Sequence, residues 1–257
     1  MTTRLPTAQL FVSGRGILVF LSAILSGLPY AGAQPVPDYR EYGRLLETYV
    51  MPGGVNYDGW HQSASDQVAL DNLLAEWSKV DPDSLSRTES TAFLINLYNA
   101  VMIDQVLEHY PINSVRDIGL LPFAVFRRDI IALNGEKLSL DEIEKGRLLK
   151  DYFDPRIHFA VNCASISCPP LRATPYTGGT LDQQLEEQTR LFAESPHAAR
   201  IGEDGETTYY SELFKWYQDD FPGENPAVYL NRFRDEPLPV ENRVGWIDYD
   251  WNLNEVP

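Results

Sequence analysis

Apolar residues recur three and four positions apart through most of the first half of the chain, and that spacing predicts helices. In "YREYGRLLETYV" Tyr42, Leu45, Leu46, Tyr49 and Val50 fall on one face, giving a helix over about 39–50. Pro52, Gly53 and Gly54 break it. Residues 62–80 repeat the pattern with Val68, Leu70, Leu73, Leu74 and Trp77, and Asp81-Pro82 ends it. The strongest signal runs from Ser86 to His109. Ser86 followed by Glu89 is a capping box, Pro111 is a stop, and the segment is apolar nearly all round, so it belongs at the centre.

The pattern then changes. Asn134-Gly135 between two short apolar runs predicts a tight hairpin, followed by a helix capped by Ser139 or Asp141. "RIHFAVNC" (Arg156 to Cys163) reads as a strand, and residues 180–195 as an amphipathic helix. A second hairpin is expected at Asp204-Gly205, short helices in "SELFKWYQDDF" and "NPAVYLNRF", and a closing strand in "VGWIDYDWNLN". Helices gather early and strands late, without βαβ alternation. The expectation is an α+β fold, a helix-rich N-terminal half packed on a small, mostly antiparallel sheet.

One apolar run does not fit this scheme. "ILVFLSAILSGL" (Ile17 to Leu28) follows Arg4 and Arg15 and precedes Ala31-Gly32-Ala33, the pattern of a secretory signal peptide cut after residue 33. The chain is thus expected to be exported, to the periplasm or beyond, with residues 34–257 forming one domain and no membrane-spanning helix after cleavage. Its formal charge of −16 disfavours a phosphate backbone as partner, so nucleic acid is excluded. Nothing matches a nucleotide, haem or EF-hand motif, and no cofactor is expected; the partner is an unidentified small molecule or protein.

The ordered stretches "YVMPGGVNYDGW", "AFLINLYNAVMIDQVLEHYPINSVRDIG", "LNGEKLSLDEIE", "DPRIHFAVNCASISCPPL", "YTGGTLDQQLE", "FKWYQDDF" and "DYDWNLN" resemble the family catalogued as domain of unknown function 547, from about residue 40 to 254. A small departure is Leu94, where the resemblance leads one to expect an aromatic residue. The resemblance implies no settled activity. It is a family of secreted bacterial members and of eukaryotic relatives fused to signalling or redox-type domains, a range that suits an enzyme or a binding module.

Candidate chemistry gathers on two segments. On a wheel of about 100° per residue, Glu89, Asn96 and Asn99 share one stripe of the central helix. Buried polar groups need partners, so this stripe is either a structural network or one wall of a polar cleft. In a straight strand, His158 and Asn162 would face that wall, while Cys163 would point the other way. Ser165 and Ser167 follow in a rigid loop, with Cys168 before two prolines. The expected binding cleft is therefore Glu89, Asn96, Asn99, Asn162, Ser165 and Ser167 around His158.

Three readings compete for the cysteines. In an exported chain Cys163 and Cys168 can form a disulfide that braces the loop. Their C-x4-C spacing, with no paired ligands among His61, His109 and His197, is poor for zinc, and no metal is expected. As catalytic candidates, Cys163 or Cys168 would act as nucleophile with His158 as base. A histidine facing a polar helix looks like papain- or transglutaminase-type sites. There the nucleophile starts the central helix, where this chain has Ser90 and Thr91 instead. The preferred expectation is a binding or scaffold module; the alternative is a Cys/His-dependent hydrolase or transferase.

Overall fold

The computed structural model describes residues 36–256. Residues 1–33, the segment expected to be a signal peptide, lie outside the described residues.

The chain opens with α1 (Arg40–Tyr49), which buries Tyr42, Leu45, Leu46 and Tyr49. A two-residue ribbon, β1 (Val50–Met51) and β2 (Gly54–Val55), returns the chain to α2 (Tyr57–Gln62) and α3 (Ala64–Trp77). Then comes α4 (Arg87–His109), whose Ser86 hydroxyl accepts the Glu89 N–H at 3.3 Å, as the capping box requires. Every residue from Ser90 to Ile103 is buried, because α3 and the later helix 142–152 pack on it from different sides. A fully buried Leu or Phe contributes roughly 1.5–3 kcal/mol, so α4 holds the largest share of apolar stabilisation per turn.

After the short α5 (Ala124–Arg127), Asn134 and Gly135 turn a hairpin between β3 (Ile131–Leu133) and β4 (Glu136–Leu138). Both have positive φ, 48° and 84°, the geometry in which Asn-Gly is favoured. Residues Glu142–Tyr152 then form a π-helix started by Ser139, whose N–H and hydroxyl both donate to Glu142. Downstream lie α6 (Leu181–Ala193), the hairpin β5 (Ala199–Ile201) and β6 (Thr207–Ser211), α7 (Leu213–Trp216), α8 (Pro226–Leu230) and β7 (Arg243–Ile247). β7 pairs parallel with β6, and the other pairs are antiparallel. The fold is α+β, but its strands form three small sheets rather than one.

"RIHFAVNC" is not a strand. Pro155–Phe159 is a turn of 3₁₀ helix. Asp154 accepts the Arg156 N–H at 3.0 Å and Pro155 occupies the first helical position. A carboxylate cap followed by proline is a helix start, and it prevails over β propensity here. Ala160 N–H donates to Ile157 O at 2.9 Å, continuing the turn. Side chains therefore do not alternate, and the expected separation of His158 from Cys163 disappears. Ile157 enters the apolar cluster around α4, while Phe159 joins a second one with Phe192, Phe214, Phe221 and Tyr229. His158 lies where the two clusters meet.

Residues 248–256 leave β7 and thread between distant parts. Val55 N–H donates to Asn254 O, Leu253 N–H to Asn113 O, and Ile166 N–H to Asn252 O, at 2.8–2.9 Å. Gly54 makes this passage possible: a Cβ there would sit 2.1 Å from Asn254 O. No helix among the described residues is long and apolar enough to cross a membrane.

Candidate active site

A cleft with room for about 170 Å³ opens beside His158. Its walls come from six segments: Tyr98 of α4; Phe123, Phe126 and Arg127 around α5; Asp141, Glu144 and Lys145; His158, Val161, Cys163, Cys168 and Pro169; and an aromatic side made by Trp216 and Tyr217 with Tyr249 and Trp251. His158, Cys163 and Cys168 all line it.

His158 is 2% exposed and packs at a tilt against Tyr217, with ring centroids 4.1 Å apart and planes 38° to one another. Its Nε2 lies 2.8 Å from Asp220 Oδ2. An ionised carboxylate only accepts, so Nε2 carries the proton and neutral His158 keeps a lone pair on Nδ1. Nδ1 is buried and has no hydrogen-bond partner among the described residues; Glu144 Oε1 is nearest of the acids, at 3.8 Å. Burial holds the imidazole pKa below its ordinary 6.5, against the opposing pull of Asp220, which suits a neutral base. Glu144 is itself buried. Burial raises its carboxyl above the usual range despite Lys145 and the Tyr217 hydroxyl, which donates to it at 3.0 Å.

Cys163 is half-buried and Cys168 buried, and both are free. The expected disulfide is absent. Instead the Cys163 N–H donates to Cys168 Sγ at 2.9 Å. Cys163 Sγ lies 3.0 Å from Ser165 Oγ and 3.3 Å from Tyr249 Oη. Burial acts to raise this thiol, but the donors around it, the Cys168 thiol and the Ser165 and Tyr249 hydroxyls, outweigh burial and lower its pKa. Cys168, the more enclosed, is pushed well up by burial and by its neighbour. Cys163 is thus the sulfur disposed to ionise. Ala164, next to it, has φ of 58°, a left-handed conformation unusual for alanine, held by its N–H to Asn162 Oδ1 at 2.9 Å.

The rest of the expected cleft is elsewhere. Asn96 clamps the Tyr176 backbone, donating to its carbonyl at 2.8 Å and accepting its N–H at 2.9 Å. Asn99 bridges Ala160 O and Asn162 N. Glu89 accepts the Gly178 N–H at 3.2 Å. Asn162 donates to Pro169 O at 2.8 Å, and the Ser167 hydroxyl accepts the Asp250 N–H at 2.9 Å. These side chains hold backbone loops in place and do not line the cleft; of the expected set, only Ser165 reaches the thiol. The polar stripe of α4 faces loop 160–178, because that loop has unpaired backbone groups to satisfy inside the protein.

Sequence reading missed Glu144, Tyr217, Asp220 and Tyr249. No spacing links residue 158 to residue 220. Tyr249 was legible only as one face of a presumed strand, with Asp248 and Asp250 on the other.

The chain is thus an α+β protein with a buried, carboxylate-held histidine and a free thiol on one aromatic cleft. Residues 82–193 match the model of a family described as Protein of unknown function, DUF547, the family that the sequence resembles. The matched region contains Glu144, His158, Cys163 and Cys168, while Asp220 and Tyr249 lie beyond it. No curated protein and no solved structure matches the chain.

Proposed function

We propose that the cleft carries out thiol-dependent acyl transfer, with Cys163 as nucleophile, His158 as base and Asp220 holding the imidazole. The supporting observation is the Asp220–His158 bond, which leaves Nδ1 unprotonated and without a partner on a cleft shared with a low-pKa thiol. In the first half-reaction Cys163 Sγ passes its proton to Nδ1 and attacks the substrate carbonyl. The bond to the leaving group breaks, and the leaving group takes the proton back from the imidazolium. The thioester is released when His158 deprotonates water or an amine that attacks it, and the departing thiolate is reprotonated. This is the hydrolase or transferase reading. We prefer it to the binding-module expectation because the amides assigned to that cleft are engaged with backbone.

The test uses 4-nitrophenyl acetate. A burst of nitrophenol with an acetyl mass increment on the Cys163 peptide is expected, lost in Cys163→Ala and slowed about 10²-fold or more in His158→Gln. Acetylation no faster than in unfolded protein, or absence of free thiol in protein isolated without reductant, would overturn the proposal. One observation favours a second reading. Trp216 and Trp251 stack at 5.8 Å, and Tyr249 lies 4.5 Å from Trp251, a wall suited to a planar ring. A pure binding module would keep full ligand affinity in Cys163→Ala and show no burst.

The Arg-flanked apolar run and Ala31-Gly32-Ala33 support export and removal of residues 1–33, with 34–257 as one domain. N-terminal sequencing of protein recovered from outside the cytoplasm should start at residue 34; intact residues 1–33 would sink this reading.

A further inference from the structure

The segment between α4 and α5 does something no other loop here does. Leu120 is 101% exposed and Leu121 72%, side by side at the tip of the turn 118–123. Burying a leucine is normally favourable, and two adjacent ones held fully in solvent are a cost unless something covers them. The tip is a built structure. Gly119 has φ of 96°, Phe123 is left-handed at 65°, and the Phe123 ring is fixed edge-on against Trp251 with centroids 4.7 Å apart. The Arg116 guanidinium lies 5.2 Å from the centre of that same ring.

The charges around the tip are unlike those of the rest of the chain. In a protein of formal charge −16, Arg116, Arg127 and Arg128 flank it, all exposed. None forms an ion pair among the described residues; Arg128 donates only to the neutral Gln105 amide, at 3.2 Å. Asp117 and Asp129 are the acids beside them in sequence, so the segment carries a local positive excess. An exposed apolar tip flanked along the chain by exposed guanidinium groups is what a lipid surface with anionic headgroups accepts: side chains in the acyl boundary, cations at the phosphates. The same segment contributes Phe123, Phe126 and Arg127 to the cleft.

We infer that Leu120 and Leu121 dock the protein on an anionic lipid bilayer, which sets the rim of the Cys163 cleft against the membrane. Docking does not depend on the acyl-transfer reading, and its test needs no substrate.

The experiment compares binding of the full chain to phosphatidylcholine vesicles and to vesicles of phosphatidylcholine with one quarter phosphatidylglycerol. Amide hydrogen exchange is read along the sequence. The expected result is slowed exchange confined to about 117–128 on the anionic vesicles. Affinity should fall about tenfold or more in Leu120→Glu/Leu121→Glu and in Arg116→Gln/Arg127→Gln/Arg128→Gln, and at high salt. These side chains are exposed, so both variants should melt as the parent does. Unchanged exchange at 117–128, or equal binding by the leucine variant, would overturn the inference and leave the apolar run 17–28 as the lipid contact. Protection that rises with protein concentration without lipid, and is lost with the leucines, would also overturn it by making a second copy the occupant.

Discussion

The stripe Glu89, Asn96 and Asn99 and the cluster Glu144, His158 and Cys163 both place polar atoms inside apolar surroundings, and they solve the problem differently. On the stripe, the side chains bond backbone groups of Tyr176, Ala160, Asn162 and Gly178. In the cluster, side chain meets side chain, one buried nitrogen has no hydrogen bond, and burial or neighbours move the pKa of each group. A polar group saturated by backbone is fixed in one state and contributes structure. One that is left partly unsatisfied on a cavity can change its protonation, which is what chemistry requires. The contrast predicts that variants of the stripe change stability and leave the thiol alone, and that variants of the cluster do the reverse.

The largest effect should come from the cluster. Cys163→Ala should abolish the proposed acylation, and His158→Gln should lower its rate about 10²–10⁴-fold, with melting shifted by only a few degrees. If either instead unfolds the protein with no separate loss of rate, the contrast fails. Next is Asn96→Ala, which strands the buried Tyr176 N–H and carbonyl. We expect a loss of about 2–4 kcal/mol in urea unfolding, with the pH profile of Cys163 alkylation unmoved. A displaced profile would couple stripe to site.

Smaller effects appear in pH. The lowered thiol pKa places the midpoint of Cys163 alkylation below that of a free cysteine, about 8.5. Tyr249→Phe should move it upward by removing one donor, and no movement would exclude the hydroxyl as a stabiliser of thiolate. For His158, the folded pKa lies below the ordinary 6.5, so the unfolded chain binds the proton first as pH falls. Its contribution to stability is present above about pH 6.5 and is lost as pH falls below that value. Glu144 has the opposite sign: with its folded pKa raised above the ordinary 4.5, it favours folding in acid and loses that contribution as pH rises. His158→Gln should therefore flatten the decline of stability between about pH 6.5 and 5 in denaturant titrations. An unchanged slope there would contradict the burial argument. The smallest change is Glu89→Gln, which keeps an acceptor for Gly178 N–H at a half-exposed position and should cost under about 1 kcal/mol.

Helix positions were legible in the sequence because periodicity and caps agreed, as Ser86 with Glu89 illustrates, and the Asn134-Gly135 hairpin because its turn residues announce it. The site was legible in part. His158, Cys163 and Cys168 stood out by residue type, and the polar stripe by its conflict with an apolar helix. What the stripe faced was not readable, since its partners are backbone groups that carry no sequence signature. The error at 155–159 had a visible remedy in Asp154-Pro155, a helix start that β-branched neighbours obscured. Asp220 and Tyr249 could not be found because contacts across 62 and 86 positions depend on how the whole chain folds back.

The threaded segment 248–256 has a consequence for how the molecule comes into being. Tyr249 and Trp251 reach the cleft only when segment 248–256 is seated against Val55, Asn113 and Ile166, and ribosomes make that segment long after Cys163. Until then the sulfur lacks the phenol that helps lower its pKa. A nascent or nicked chain would carry an ordinary thiol, so the change in Cys163 is timed by translation itself. A pulse of alkylating reagent during synthesis should modify Cys163 at the rate of an ordinary cysteine early, and at a different rate, with its midpoint moved to lower pH, once residues 248–256 have emerged and seated.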